Sequence, residues 1–153
     1  MAAGTDMMRS GRAVRVLPTT GRQHPEDRHQ AALFDWCKLA VAAHPDLAML
    51  MHVPNGGKRN AREAGRLKRQ GVRAGYPDLV LDVARGGYHG LRIELKATRA
   101  ELGRKPEVSP LQRQWLDRLN LQGYRALVCE GWEQARDEIL GYLALAVPAI
   151  PNP

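Results

Sequence analysis

The chain has 153 residues and a net charge of +7, with 44% hydrophobic and 25% charged residues. This composition is ordinary for one globular domain and argues against wholesale disorder. No apolar run approaches the ~18–20 residues of a membrane-spanning helix, and the N-terminus lacks the apolar segment of a secretory signal. We therefore expect a cytoplasmic protein with no membrane association, and a basic, poorly ordered arm over residues 1–22.

The first predicted helix covers residues 26–43, because its larger side chains repeat at helical spacing. The residues of this inward stripe are Gln30, Phe34, Cys37 and Val41. Glu26 extends the stripe by one turn towards the N-terminus, whereas the adjacent Asp27 turns roughly 100° away. The stripe therefore places the Glu26 carboxylate on the inward edge of the helix.

The rest of the chain predicts an alternation of strands and helices. A short apolar run at 47–53 predicts a strand, and the turn 54–57 leads to a basic helix at about 60–70. Two strands joined by a glycine-rich hairpin follow, and Ser109-Pro110 is a good entry to a further helix. The later segments are strands 78–83 and 91–97, a polar loop 98–108, a helix from 110 to about 122, a strand 124–130, a helix 132–145 and an irregular tail 146–153. This order favours a mixed α/β sheet with helices on its faces.

Most of the positive charge lies in one segment, residues 58–73. Seven basic residues and a single acid, Glu63, give that segment a net charge of +6. A basic helix face can serve solubility alone, but such a concentration favours a polyanionic partner whose phosphates it contacts. The sequence therefore points to nucleic acid. Cys37 and Cys129 lie in apolar runs without zinc-site spacing, so we expect buried, reduced thiols.

Acidic residues interrupt the two hairpin strands. Alternate residues of a strand share a face, so Glu94 and Lys96 point the same way, and Asp78 can lie across the hairpin from them. A pair of carboxylates suits Mg²⁺ or Mn²⁺, and such an ion activates water for attack on a phosphodiester. Lys96 could position or deprotonate that water, or neutralise charge on the phosphate. Asp82 lies roughly 13 Å further along its strand, too far to share one ion.

An isolated Glu-x-Lys is common on solvent-facing strands, so the tripeptide alone would indicate only a surface ion pair. Here Pro77-Asp78 precedes Glu94-Leu95-Lys96 across a predicted hairpin and follows a basic helix. This pattern resembles the PD-(D/E)xK nucleases and, more narrowly, their VRR-NUC group of the minimal, stand-alone phage or bacterial type. Three further segments strengthen the resemblance, which covers about residues 23–142: "EDRHQ" (26–30), "VPNGGKR" (53–59) and "SPLQRQWLDRLNLQGYRALVCEGWEQA" (109–135).

The resemblance implies a restriction-endonuclease-like core over residues 23–145, with a mixed four-stranded sheet flanked by helices. It implies that Asp78 and Glu94 bind the metal together with the backbone carbonyl of Leu95. Lys96 would be the catalytic lysine, Glu26 would bind metal directly or through water, and Gln112 would position water or phosphate. The residues expected to contact nucleic acid are Asn55, Lys58, Arg59, Arg62, Arg66 and Arg69.

The implied activity is a Mg²⁺- or Mn²⁺-dependent DNA endonuclease in a bacterial or phage-infected cell. Family members of this minimal size resemble phage-borne enzymes that act as homodimers on branched DNA such as Holliday junctions. Two active sites related by a two-fold axis suit a symmetric substrate. Two alternatives remain open at this point. One is a catalytically inactive nucleic-acid-binding module on a nuclease fold, and the other is a protein-interaction domain that binds acidic partners.

Overall fold

The computed structural model describes residues 24–54 and 61–149. The arm expected over residues 1–22 and nearly all of the turn expected at 54–57 lie outside these ranges. The helices are α1 (Pro25–Ala40), a 3-10 helix (Pro45–Met49), α2 (Ala61–Arg69), α3 (Arg99–Leu102), α4 (Pro110–Leu121) and α5 (Trp132–Leu143). The strands are β1 (Leu50–His52), β2 (Leu79–Leu81), β3 (Leu91–Lys96) and β4 (Arg125–Glu130).

The four strands form one mixed sheet in the order β1-β2-β3-β4. The β1–β2 and β2–β3 pairs are antiparallel, and Leu79 lies opposite Ile93. The β3–β4 pair is parallel, with Lys96 opposite Glu130, and α3 and α4 make the crossover between these two strands. The predicted α/β fold, a four-stranded mixed sheet flanked by helices, is confirmed.

Helices cover both faces of the sheet. On one face, α1 and α5 pack on β2 and β3, and this main core contains Leu33, Leu81, Ile93 and Ile139, each at most 1% exposed. On the other face, Leu116 and Leu119 of α4 pack against Ala126 of β4. Strand β3 is buried along its whole length because it is central and covered on both faces. Its polar residues therefore lie inside the protein and need partners there.

Two local expectations were wrong. The apolar run 47–53 begins as a 3-10 helix that Pro45 starts, so only Leu50–His52 pairs as a strand. The stretch 98–108, expected to be a loop, contains the short helix α3. Its N-terminus carries a capping box in which Thr98 accepts from the Glu101 amide and the Glu101 side chain accepts from the Thr98 amide. That reciprocal cap satisfies the exposed amides of a single helical turn and so allows it to form.

The remaining expectations concern the thiols and the membrane. Cys37 and Cys129 are both buried and form no disulfide, as expected from their apolar surroundings. Within the described ranges, no helix is long and apolar enough to cross a membrane.

Candidate active site

Asp78 directly precedes β2 and is held by contacts on both its backbone and its side chain. Its carbonyl oxygen accepts a hydrogen bond from the Val53 amide at 2.8 Å and lies 3.0 Å from Nδ1 of His52. Its carboxylate oxygen Oδ2 accepts from the Leu95 amide at 3.0 Å. The hairpin register thus brings the acid of one strand to the backbone of the next. No other residue of the described ranges donates to this carboxylate.

Glu94 and Lys96 lie side by side on the same face of β3. Glu94 is 2% exposed and Lys96 is 8% exposed. The Lys96 ammonium nitrogen Nζ lies 2.9 Å from Oε1 of Glu94, which makes a buried ion pair. Strand alternation predicts this shared face, and the burial of β3 makes the pairing necessary, because an unpaired buried charge is costly.

Gln112 connects these two side chains to the start of α4. Its Nε2 donates to Oε1 of Glu94, and its Oε1 accepts from Lys96 Nζ at 3.3 Å. The same Oε1 also accepts from the Ser109 amide at 2.8 Å, while Ser109 Oγ accepts from the Gln112 amide at 3.2 Å. Ser109 and Gln112 therefore form the capping box of α4, and one glutamine side chain serves both the helix end and the acidic site.

Glu26 approaches the same cluster from the first turn of α1. Its Oε1 lies 4.0 Å from Lys96 Nζ, and its side chain is partly exposed. Asp27, the next residue, is exposed and has no contact with the cluster among the described residues. The structure thus brings Glu26, rather than Asp27, towards the two strand acids.

The acids of the cluster have perturbed proton affinities. Burial is the main cause that raises the pKa of Glu94 to about 7, and the negative charge of Asp78 adds to it. Burial also raises the pKa of Asp78, against the hydrogen bond from Leu95 and the positive charge of Lys96, which lower it. The Glu26 charge raises both pKa values. The cluster thus has three carboxyl groups for one ammonium group, and burial disfavours the charged form of Asp78 and Glu94.

The donor set fits a divalent cation only in part. Among the described residues, no group of three or more His, Cys, Asp or Glu side chains is arranged to hold a metal ion. The two strand carboxylates nevertheless retain Oδ1 of Asp78 and Oε2 of Glu94, which accept no hydrogen bond within 24–54 and 61–149. Hard oxygen ligands, three carboxyl groups beside one ammonium group and few protein donors match Mg²⁺, which keeps several waters when bound.

The basic residues predicted to contact nucleic acid fall into two groups. Arg62, Arg66 and Arg69 are exposed on α2, a helix with no buried residue. Asn55, Lys58 and Arg59 lie outside the described residues. The exposure of the α2 arginines leaves their charge available to a partner.

Sequence reasoning missed residues that hold the site in shape. Ser109 was interpreted as a helix cap alone, although its amide also fixes Gln112. Arg92, 5% exposed, lies on the same β3 face as Glu94 and donates to Asp82 at 2.8 Å and to the Tyr76 hydroxyl at 3.1 Å. The alternation that links Glu94 to Lys96 could have identified Arg92. Arg92 in turn explains the acid at position 82, because Asp82 is its ion-pair partner.

Two comparisons with known proteins found a match to this chain. The family model of the VRR-NUC domain matches residues 24–133. A solved structure described as a VRR_NUC domain protein is similar over 81% of this chain and 92% of its own, with 32% sequence identity and a TM-score of 0.65. No curated protein matches the chain.

Proposed function

The chain belongs to the VRR-NUC family of nuclease domains, and we propose that it is a divalent-metal-dependent endonuclease that hydrolyses phosphodiester bonds in DNA. The observation that carries the proposal is the buried network in which Lys96 and Gln112 both contact Oε1 of Glu94. Asp78 lies one strand away. A surface Glu–Lys pair would need neither this burial nor a second carboxylate.

Asp78 and Glu94 would hold the metal through the oxygens that accept no hydrogen bond from the described residues. The Leu95 carbonyl is the third protein ligand that we propose. The Leu95 amide points towards Asp78, and the amide and carbonyl of one strand residue face the same neighbouring strand. Glu26 acts through an intervening water, since its carboxylate is oriented towards Lys96 from the edge of the cluster. When bound, the ion supplies Lewis-acid activation of water and of the phosphate.

The side chains of the chain itself supply orientation and charge. Lys96, held between Glu94, Gln112 and Glu26, presents an ammonium group that neutralises charge accumulating on the phosphate oxygens or positions the attacking water. Gln112 fixes the rotamer of Glu94 through Nε2. Because Gln112 is itself fixed by the α4 cap, the acid is preorganised before substrate arrives.

Branched DNA is the substrate that we propose, and a homodimer is the active form. The basic helix α2 offers charge for the backbone, with Arg62, Arg66 and Arg69 exposed. Asn55, Lys58 and Arg59, which lie outside the described residues, are proposed as further contacts on the sequence pattern alone. Two copies related by a two-fold axis would place two active sites on opposite strands of a symmetric junction.

A substrate panel tests this proposal. The protein is incubated with four-way junction, flap, splayed, duplex and single-stranded DNA, each with Mg²⁺, Mn²⁺ or Ca²⁺. We expect cleavage with Mg²⁺ or Mn²⁺, faster on branched DNA than on duplex, and none by Asp78→Ala although its DNA binding persists. Equal cleavage of duplex and junction would contradict the branch preference. Binding without cleavage under every condition would favour the inactive binding module instead.

A further inference from the structure

A second feature lies beside the active site, in the groove between α2 and α4. It is a cavity of about 320 Å³ whose cationic residues are Lys68, Arg73 and Arg118. Leu111 and Trp115 of α4 also line it. No acidic side chain lines this groove, and none of its three cations forms an ion pair with the described residues. We call it the α2–α4 groove.

Its charge distinguishes it from another, larger groove of the protein. That cavity, of about 780 Å³, lies on the other side of α4 and mixes three basic residues with Glu107, Asp117 and Glu130. Mixed charge gives little net attraction for a polyanion, whereas three uncompensated cations give a strong one. Of the two, only the α2–α4 groove is electrostatically suited to phosphate.

The groove and the proposed catalytic residues share two segments of the chain. Leu111 lines it, and the next residue along α4, Gln112, contacts Glu94 and Lys96. The backbone turn at Gly75 packs directly against the start of α4. Its φ is +78°, and an added Cβ would lie 2.7 Å from Cγ of Leu111. Asp78 follows three residues later. The segment 73–78 and the first turn of α4 therefore each carry residues of both the groove and the proposed active site.

The groove also offers apolar surface that a phosphate alone would not use. Leu111 is 44% exposed. The Trp115 ring is fixed by a hydrogen bond from Nε1 to the Ala74 carbonyl at 3.1 Å and by edge contact with Tyr76. Bases in a duplex keep their faces stacked on each other, but an unstacked base can lie on apolar and aromatic side chains while cations hold its phosphate.

We propose that the α2–α4 groove receives one unstacked nucleotide of branched DNA, adjacent to the scissile phosphate. Arg73, Arg118 and Lys68 hold its phosphate, and the base lies against Leu111 and Trp115. This inference rests on the proposed nuclease function, and it supplies a physical reason for the proposed preference for branched DNA. Only DNA in which a nucleotide leaves the stack at a branch point fills the groove, whereas continuous duplex DNA contacts its cations alone.

Fluorescence anisotropy in EDTA tests the inference without any cleavage step. Binding of a forked DNA and of a fully paired duplex is measured for wild type, Arg73→Ala and Arg118→Ala. The control is Arg104→Ala in the mixed-charge groove. Like Arg73 and Arg118, Arg104 is an exposed arginine that forms no ion pair with the described residues. We expect Arg73→Ala and Arg118→Ala each to weaken fork binding roughly tenfold and duplex binding only two- to threefold.

The control variant should weaken both DNAs equally, by about threefold or less. The inference is overturned if Arg73→Ala and Arg118→Ala leave the ratio of fork to duplex affinity at its wild-type value. Because no metal is present, a protein that fails to cleave DNA can still satisfy this test. Conversely, a protein that cleaves can fail it, so the two proposals are separable.

Discussion

Gln112 donates a hydrogen bond from Nε2 to Oε1 of Glu94, the same oxygen that lies 2.9 Å from Lys96 Nζ. The other end of the Gln112 amide accepts from Ser109, so the cap of α4 and the acidic cluster share one side chain. The position of α4 is therefore coupled to the orientation of the acid that we assign to the metal.

Variants of Gln112 and Ser109 separate the two roles of the Gln112 side chain, which are to orient the acidic cluster and to cap α4. We expect Gln112→Ala to slow cleavage by about tenfold or more, because Glu94 and Lys96 lose the group that orients them. Ser109→Ala is the matched control. It removes the cap oxygen and costs about 1 kcal/mol of stability, but it leaves the Ser109 amide on Gln112 and so keeps most activity. Single-turnover rates with melting temperatures check this, and a Gln112→Ala rate equal to wild type would contradict the coupling.

Stability without divalent ions should depend on pH through Glu94. Its pKa is about 7 in the folded protein against an ordinary value of 4.5. The folded state therefore binds more protons than the unfolded state between these values, and the contribution of Glu94 to stability falls as pH rises across that window. Glu94→Gln removes the titration, so its stability relative to wild type should rise from pH 4.5 to pH 7. Urea unfolding in EDTA measures this, and a difference independent of pH would refute the assignment.

Divalent ions should reverse the loss of stability that ionised Glu94 causes. A cation that binds deprotonated Asp78 and Glu94 stabilises the folded state, by ~2.7 kcal/mol at a hundredfold excess over its dissociation constant. For a chain of this size we expect the melting temperature to rise by roughly 5–10 °C at pH 8, and by much less at pH 5. Thermal unfolding with Mg²⁺ and Mn²⁺ checks this. The same shift in Asp78→Asn as in wild type would place the ion elsewhere.

Alternation along β3 was enough to predict that Glu94 and Lys96 share a face, and the hairpin brought Asp78 to them. Gln112 came only from the family resemblance, because its contact depends on how α4 crosses the sheet, which no local pattern encodes. Helix α3 was missed although Thr98 and Glu101 have capping-box spacing, since a single helical turn has no apolar periodicity to support it. The ion pair of Arg92 with Asp82 depends on hairpin register and could have been derived from it.

The two thiols should be unreactive in the folded protein. Burial raises the pKa of Cys37 to about 11 and that of Cys129 to about 12, so little thiolate exists at neutral pH. A thiol reagent such as dithiobis(nitrobenzoate) should therefore modify neither cysteine in the folded protein. It should modify both cysteines when guanidinium unfolds the chain. Rapid modification of the native protein would mean that the core around α1 or β4 opens.

The most direct test of the central claim compares two aspartates of one segment. Asp78→Asn and Asp82→Asn make the same chemical change four residues apart, but only Asp78 contacts Leu95, whereas Asp82 pairs with Arg92. The measurement is the single-turnover cleavage rate of junction DNA in Mg²⁺. We predict that Asp78→Asn loses about a thousandfold in rate, equivalent to several kcal/mol of transition-state stabilisation, and that Asp82→Asn stays within a few-fold of wild type. Equal rates for the two variants would contradict the proposed site.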